Sequence, residues 1–397
     1  MKQCVILVGG KGTRLGDLTK NMPKPMVEID GSPFLLKLLD TVQRYGFEEI
    51  LLLASHANEV IFNYFKDFKY KGCNIKVIVE EEPLGTGGAI VNAYDSLEEI
   101  FFCLNGDSLV DGNWLKLNQY LDGECKSVIA LSEIRESSRY GSVTLDNGFI
   151  SNFDEKSVQV KSNLINAGIY LFKKEVFKNF TLGNKSLEKD IIPLLVKRNQ
   201  VRGILIDGYF IDIGTPESLN EAKKRVWNNK NKRAIIFDRD GTLNEDKGYT
   251  HKAADLKWKD GAIDLIKYLN DKNYYVFVAT NQAGIAKGKF NEIDMNNFHI
   301  NMQKQLIESG AHIDKFYFCP YHVDAVSDKY KKDSNDRKPK TGMLEKIKKE
   351  WNLSKENMYL IGDRDTDIQC ADNFNIESLL YSGKDNLLNI FLENFDE

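Results

Sequence analysis

The chain has 397 residues, 42% hydrophobic and 28% charged, with a formal net charge of -4. That length suits two or three domains in an ordinary globular class, and the interleaved lysines and acids give no reason to expect nucleic acid or an anionic membrane as a partner. No apolar run is long enough to span a bilayer, MKQCVILVGG runs into a strand and glycine turn rather than a leader, and six cysteines without a CxxC pair predict reduced thiols in a cytoplasmic protein.

Along the chain, QCVILV (3–8) ends in Gly9-Gly10 and predicts a buried parallel strand followed by a tight loop. PFLLKLLDTVQRYG (33–46) has a helical pattern, and EEILLLAS (48–55) and FFCLNGD (101–107) are further strands. Strands alternating with helices predict an open parallel sheet of the α/β class. NNKNKR (228–233) is polar and suits a linker. AIIFDRDGTLN then starts a new strand that runs into an acidic loop, and YYVFVATN (274–281) and MYLIGDRDTD (358–367) follow. Two α/β domains are expected, at 1–228 and 233–397.

VGGKGTRL (8–15) falls on the first strand-to-helix turn. Gly9, Gly10, Gly12 and Thr13 there let backbone N–H groups approach a phosphate, and a helix start favours negative charge. Leu15 breaks the dinucleotide fingerprint, and the absence of a terminal GK[ST] excludes a P-loop. Arg14 adds a cation, and so does Lys24, stiffened by Pro23 and Pro25. Asp107 and Asp212 each end an apolar strand, where open α/β sheets bind ligands. Together they could hold Mg²⁺ on a triphosphate.

The GGxGTRL loop, the PKP lysine, PLGTGGA (83–89), the NGD aspartate, Glu155-Lys156, NAGIY (166–170) and FIDIGTP stand in order over nearly all of residues 1–222. This set resembles the sugar-phosphate nucleotidylyltransferases. The resemblance implies a Rossmann-like mixed sheet and attack by a sugar 1-phosphate on the α-phosphorus of a nucleoside triphosphate. Arg14 and Lys24 would stabilise phosphates, and Asp107 and Asp212 would carry Mg²⁺. Gly85 and Thr86 would meet the nucleotide, and Glu155, Lys156 and Asn166 the sugar phosphate. Uridine- and thymidine-using relatives carry a base-pairing Gln where Glu80 stands here. An ionised Glu only accepts hydrogen bonds, which favours GTP and leaves CTP open. A solvent-facing Glu80 is the other reading, since it is one of three consecutive glutamates.

In IIFDRDGTLN (235–244), Asp238 and Asp240 are two apart and face the same way on an extended strand. Two carboxylates then point at one centre, suited to nucleophile and acid/base roles. With Thr280-Asn281, Lys338 of Arg337-Lys338-Pro339, and Asp363 and Asp367 of IGDRDTDI, the set resembles the haloacid-dehalogenase-like phosphatases. The resemblance implies a nucleophilic Asp238 and an acid/base Asp240. Asp238, Asp240 and Asp363 would hold Mg²⁺, and Thr280, Asn281 and Lys338 the phosphoryl group.

DRDGTLNEDKGY, TNQAGIAKGKF, CPYH and RKPKTGM are similar to the subgroup of heptose-bisphosphate and histidinol-phosphate phosphatases. Members commonly carry a four-ligand zinc loop. Here Cys319 survives with His322 nearby, but Tyr321, Ser334 and Asp336 occupy the other ligand positions. Zinc needs four good ligands, so none is expected.

A phosphatase that trims a sugar bisphosphate supplies the acceptor of the first domain. The combined expectation is a bifunctional enzyme of nucleotide-sugar synthesis, most simply of a GDP-linked heptose for a surface polysaccharide. Another phosphorylated sugar or polyol with CTP is the alternative, and so is a domain serving only as sensor or scaffold. Homo-oligomerisation is left open by the resemblance.

Overall fold

Gln3–Leu7 lies between Glu49–Ala54 and Ile100–Asn105 and is parallel to both. These strands are nearly continuous apolar runs because helices cover both faces of the sheet. The computed structural model describes residues 3–10, 12–55, 57–66, 73–134, 142–154, 162–225 and 228–395. The chain divides into two compact units, Met1–Trp227 and Asn228–Glu397.

The first unit is built on a mixed nine-stranded sheet. Its spatial order is Asn74–Val79, Glu49–Ala54, Gln3–Leu7, Ile100–Asn105, Leu164–Lys173, Ser127–Glu133, Val201–Leu205, Phe149–Asp154 and Ser142–Asp146. The first four strands are parallel, as the alternation of strands and helices predicts. Leu164–Lys173 then runs antiparallel to both of its neighbours, so the sheet is mixed and not purely parallel. Strand direction follows from how the connections cross, which apolar periodicity does not report.

Helix Phe34–Arg44 starts after Pro33 and buries Phe34, Leu35, Leu38, Leu39 and Val42. That spacing places them on one stripe facing the sheet, each worth about 1.5–3 kcal/mol when fully buried. Val5, Leu53, Cys103, Tyr170 and Phe172 form the core on the sheet's other side with Ala89, Ile90 and Ile191.

The second unit has a five-stranded parallel sheet ordered Lys315–Cys319, Tyr275–Asn281, Ala234–Phe237, Met358–Gly362, Glu377–Leu380. Ile235 and Phe237 pack with Leu265, Phe298 and Met302 on one face. Ala234 and Ile236 pack with Met343, Ile347 and Leu360 on the other. This period-2 alternation is that of a strand buried on both sides. Phe237 is level with Val278 and Ile361, so Asp238, Thr280 and Asp363 emerge at one end of the sheet.

Candidate active sites

In the first unit a cavity of about 270 Å³ opens at the carboxyl ends of the parallel strands. The strand order reverses about Gln3–Leu7 there, the usual ligand crevice of an open α/β sheet. Gly9, Gly10, Lys24, Ser55, Glu80, Gly85, Thr86, Asn105 and Asp107 are among its lining residues. A Cβ on Gly9 would lie 2.8 Å from that of Ser55, so only glycine lets the loop pass there. Gly12, Thr13 and Arg14 lie off the cavity wall, and Arg14 is exposed on the 3-10 turn Thr13–Thr19.

Lys24 is 4% exposed, and its ammonium bridges Asp107 Oδ2 at 2.6 Å and Asp212 Oδ2 at 3.4 Å. A two-stranded ribbon brings these aspartates together. Ser108–Asp111 pairs with Tyr209–Asp212, and the Ile213 amide donates to the Asp107 carbonyl at 2.9 Å. The Gly214 amide holds Asp212 Oδ1 at 2.9 Å. A Cβ on Gly214 would sit 2.7 Å from Asp212 Oδ1 and 3.0 Å from Lys24 Nζ. Two carboxylates converging on one cationic point fit a hard divalent ion.

Glu80 is buried and faces the cavity rather than solvent. Burial raises its pKa, opposed by hydrogen bonds from the Leu84 amide and the Ser55 side chain. Thr86 lines the cavity, but its hydroxyl is committed, donating to Glu188 Oε2 at 2.9 Å and accepting from the Leu187 amide at 2.8 Å. Asn166 donates to Tyr170 Oη at 2.7 Å, and Tyr170 donates to Glu188 Oε1 at 3.3 Å. Glu188 thus joins Thr86 to the Asn166 strand. Neither Glu188 nor Ser55 stands in a motif, since an isolated Ser or charged Glu carries no pattern, whereas Gly214 lies within the FIDIGTP segment. Glu155 and Lys156 lie outside the described residues.

The second unit has a cavity of about 720 Å³ lined by Asp238, Asp240, Thr280, Asn281, Gln282, Lys338 and Asp367, with Lys287, Arg337 and Arg364 also on its wall. Asp238 donates its amide to the Ile361 carbonyl at 2.9 Å, which ties the acidic loop to the adjoining strand. Lys338 is 4% exposed and reaches Asp238 Oδ1 at 2.7 Å and Asp367 Oδ1 at 2.6 Å. Burial pushes the Asp238 pKa up to about 6 against the pull of Lys338. Burial works to lower the Lys338 pKa, but the two carboxylates outweigh it and the net shift is upward. Burial also raises Asp363.

The ligating oxygens of Asp238, Asp363 and Asp367 lie within 4.8 Å of one another. This donor set fits a hard divalent ion and includes Asp367, which is outside the expected trio. The carboxylate of Asp240 points elsewhere, to Arg239, Asn244 and Gln282. The Asn281 side chain clamps the Lys338 backbone through two 3.0 Å bonds, while the residue also lines the cavity. Thr280 is buried on the wall and accepts from Gln282 Nε2 at 2.9 Å. The Lys338–Pro339 peptide is cis.

The 319–336 loop is ordered by contacts of its own. His322 bridges Lys331 along the backbone, and Tyr330 donates to Glu292 Oε1 at 2.8 Å. The Val326 amide donates to the Ala286 carbonyl at 2.9 Å, and Lys346 pairs with Asp336 at 2.6 Å. Cys319 is buried, and burial raises its thiol pKa, with Ser334 bonded to it. His322 Nδ1 accepts the Asp324 amide at 3.1 Å. Among the described residues neither Cys319 nor His322 belongs to a cluster of three ligating side chains.

The nucleotidyl transferase family model matches residues 3–229, and a HAD-hydrolase-like model matches residues 335–387. D-glycero-alpha-D-manno-heptose 1-phosphate guanylyltransferase of Campylobacter jejuni is 40% identical over 218 residues, covering 54% of this chain and 96% of that protein. The protein of the same name from Aneurinibacillus thermoaerophilus is 34% identical over 227 residues, covering 56% of this chain and 98% of the relative. A crystal structure of HddC from Yersinia pseudotuberculosis complexed with GMP-PN is 32% identical with a TM-score of 0.50, covering 57% of this chain and 99% of that one. The chain belongs to the nucleotidyl transferase family, and it carries a HAD-like hydrolase domain after its transferase domain.

Proposed function

We propose that the chain makes a GDP-linked sugar in two steps, with a heptose as the sugar. The second domain removes the distal phosphate of a sugar bisphosphate, and the first transfers GMP from GTP to the resulting sugar 1-phosphate with release of pyrophosphate. The observation that carries this reading is the buried Glu80 carboxylate on the wall of the nucleotide cavity. It is acceptor-only when ionised, and guanine presents adjacent N–H donors where uracil presents one donor flanked by acceptors. The guanylyltransferase names of two relatives and the GMP-PN complex of a third support the same base.

In the transferase domain Lys24 leaves its carboxylate partners for the triphosphate, and the Gly9-Gly10 backbone cradles phosphate oxygens. The sugar phosphate oxygen attacks the α-phosphorus in line, so alignment and charge stabilisation supply the rate. In the phosphatase domain Asp238 attacks phosphorus, with Lys338 and Thr280 holding phosphoryl oxygens. Asp240 protonates the leaving alcohol and then takes a proton from the water that hydrolyses the aspartyl-phosphate. Mg²⁺, which Asp107 and Asp212 would hold in one domain and Asp238, Asp363 and Asp367 in the other, would neutralise phosphate charge and ease anion repulsion.

The full chain incubated with heptose 1,7-bisphosphate and each nucleoside triphosphate tests this by mass spectrometry. A GDP-heptose product is expected. UTP or dTTP as the best substrate would refute the role of Glu80, CTP would favour a CDP-linked product, and no phosphate release would leave the second domain without its activity.

A further inference from the structure

Arg239 sits between the two aspartates of the acidic loop, and the mechanism above does not use it. It is 0% exposed. A guanidinium stays charged when buried and must be paired. Its Nη2 donates to Asp240 Oδ1 at 2.9 Å and Oδ2 at 2.8 Å, and its Nε donates to Oδ1 at 3.1 Å. The remaining donors are anchored away from the site. Nη2 reaches the Thr250 carbonyl at 2.7 Å, and Nη1 lies 3.1 Å from His299 Nε2. The guanidinium carbon lies 4.6 Å from the Phe298 ring centroid. Burial, then the Arg239 charge, holds the His299 pKa well below its usual value, so a neutral ring accepts this bond. From the other side Gln282 Nε2 donates to Asp240 Oδ2 at 2.8 Å, and Asn244 Nδ2 donates to Oδ1 at 3.1 Å.

The geometry points to Arg239 as a positioning residue that, with Gln282, clamps the Asp240 carboxyl in the one orientation that serves both halves of phosphate-monoester hydrolysis. This rests on the phosphatase reading above. In the first half, an Asp238 oxygen bonds to phosphorus, the bond from phosphorus to the alcohol oxygen breaks, and the Asp240 proton goes to that oxygen. In the second, water bonds to phosphorus as its proton goes to Asp240, and the bond from phosphorus to Asp238 breaks to release inorganic phosphate. Both transfers need the carboxyl within hydrogen-bond reach of its target. Asp240 is held by three side chains, Arg239 and Asn244 from its own loop and Gln282 from the end of the neighbouring strand, and Arg239 is itself fixed by a backbone carbonyl, a histidine and an aromatic face. A carboxyl so held does not swing between rotamers.

The full chain is compared with Arg239→Met, Arg239→Lys and Gln282→Leu, with cooperative thermal unfolding as the check on folding. The substrates are an alkyl phosphomonoester and p-nitrophenyl phosphate, whose leaving group needs no proton. In Arg239→Met, kcat on the alkyl ester is expected to fall about 10²-fold, the contribution of a positioned acid. With p-nitrophenyl phosphate, a burst stoichiometric with protein should appear, followed by slow turnover, because Asp238 still attacks but no base is aimed at the water. Arg239→Lys should recover part of the loss. Gln282→Leu should show the same pattern more weakly, and it carries the test if Arg239→Met does not fold. Equal loss on both substrates without a burst in folded variants would overturn the clamp, as would full activity. Failure of the unsubstituted chain to release phosphate from either substrate would remove the phosphatase reading and this inference with it.

Discussion

Lys338 Nζ lies 2.7 Å from Asp238 Oδ1, and both side chains are buried at the end of the parallel sheet of the second unit. The same ammonium also neutralises Asp367. Removing one partner of a buried ion pair strands the other, which costs about 3–5 kcal/mol. Lys338→Met is therefore expected to lower the melting temperature of the second unit by several degrees and to abolish phosphate release. Calorimetry and a phosphate assay check this, and an unchanged transition would contradict the buried pairing.

Asp238 also gives the metal-free chain a pH signature. Burial holds its folded pKa at about 6, above the unfolded value of about 3.9. Between those values the folded state binds more protons, so stability falls as pH rises from about 4 to about 6. Asp238→Asn should flatten that part of the curve. Denaturant melts in chelator across this range would show it, and an identical slope in both proteins would refute it.

Glu80→Gln converts an acceptor-only group into one that also donates. Hydrogen bonds to charged groups are worth about 1.5–3 kcal/mol, so kcat/KM for GTP should drop about 10- to 100-fold. UTP or dTTP should improve in relative terms. A nucleotide panel on the variant decides the point, and undiminished GTP use would place the base elsewhere.

Gly214→Ala separates function from fold. The added methyl would meet the Asp212 carboxylate at 2.7 Å and the Lys24 ammonium at 3.0 Å, side-chain groups and not backbone. Stability should stay within about 1 kcal/mol while nucleotidyl transfer falls and needs more Mg²⁺. Normal Mg²⁺ dependence would show that the Lys24–Asp212 contact is not part of the transferase site.

Zinc removal should have no effect. The 319–336 loop is held by ring, backbone and ion-pair contacts, and structural zinc needs four good ligands. Elemental analysis should find less than stoichiometric zinc, and a zinc chelator should leave the melting temperature unchanged. One tightly held zinc per chain would overturn this expectation.

Much of the molecule was legible from spacing. Apolar runs ending in glycine or aspartate located the strand ends where both candidate sites lie, because a parallel sheet buried on both faces requires such runs. Motif order pointed to the two families, and both models match the chain. Residues acting through contacts rather than patterns were not legible. Glu188 and Ser55 matter for what lies opposite them in space, which no local spacing records.

The sequence by itself determined that two α/β domains follow one another and that acidic and lysine side chains gather at their strand ends, since strand periodicity and loop position dictate those placements. Only the tertiary structure decided the partners. It turned Asp240 toward Arg239 and brought Asp367 to Asp238 and Asp363. It set Asn281 on the Lys338 backbone and folded Glu80 inward from a run of glutamates. A side chain's direction is set by whatever neighbour satisfies its charge or its hydrogen bonds once water is excluded, and those neighbours come from distant parts of the chain.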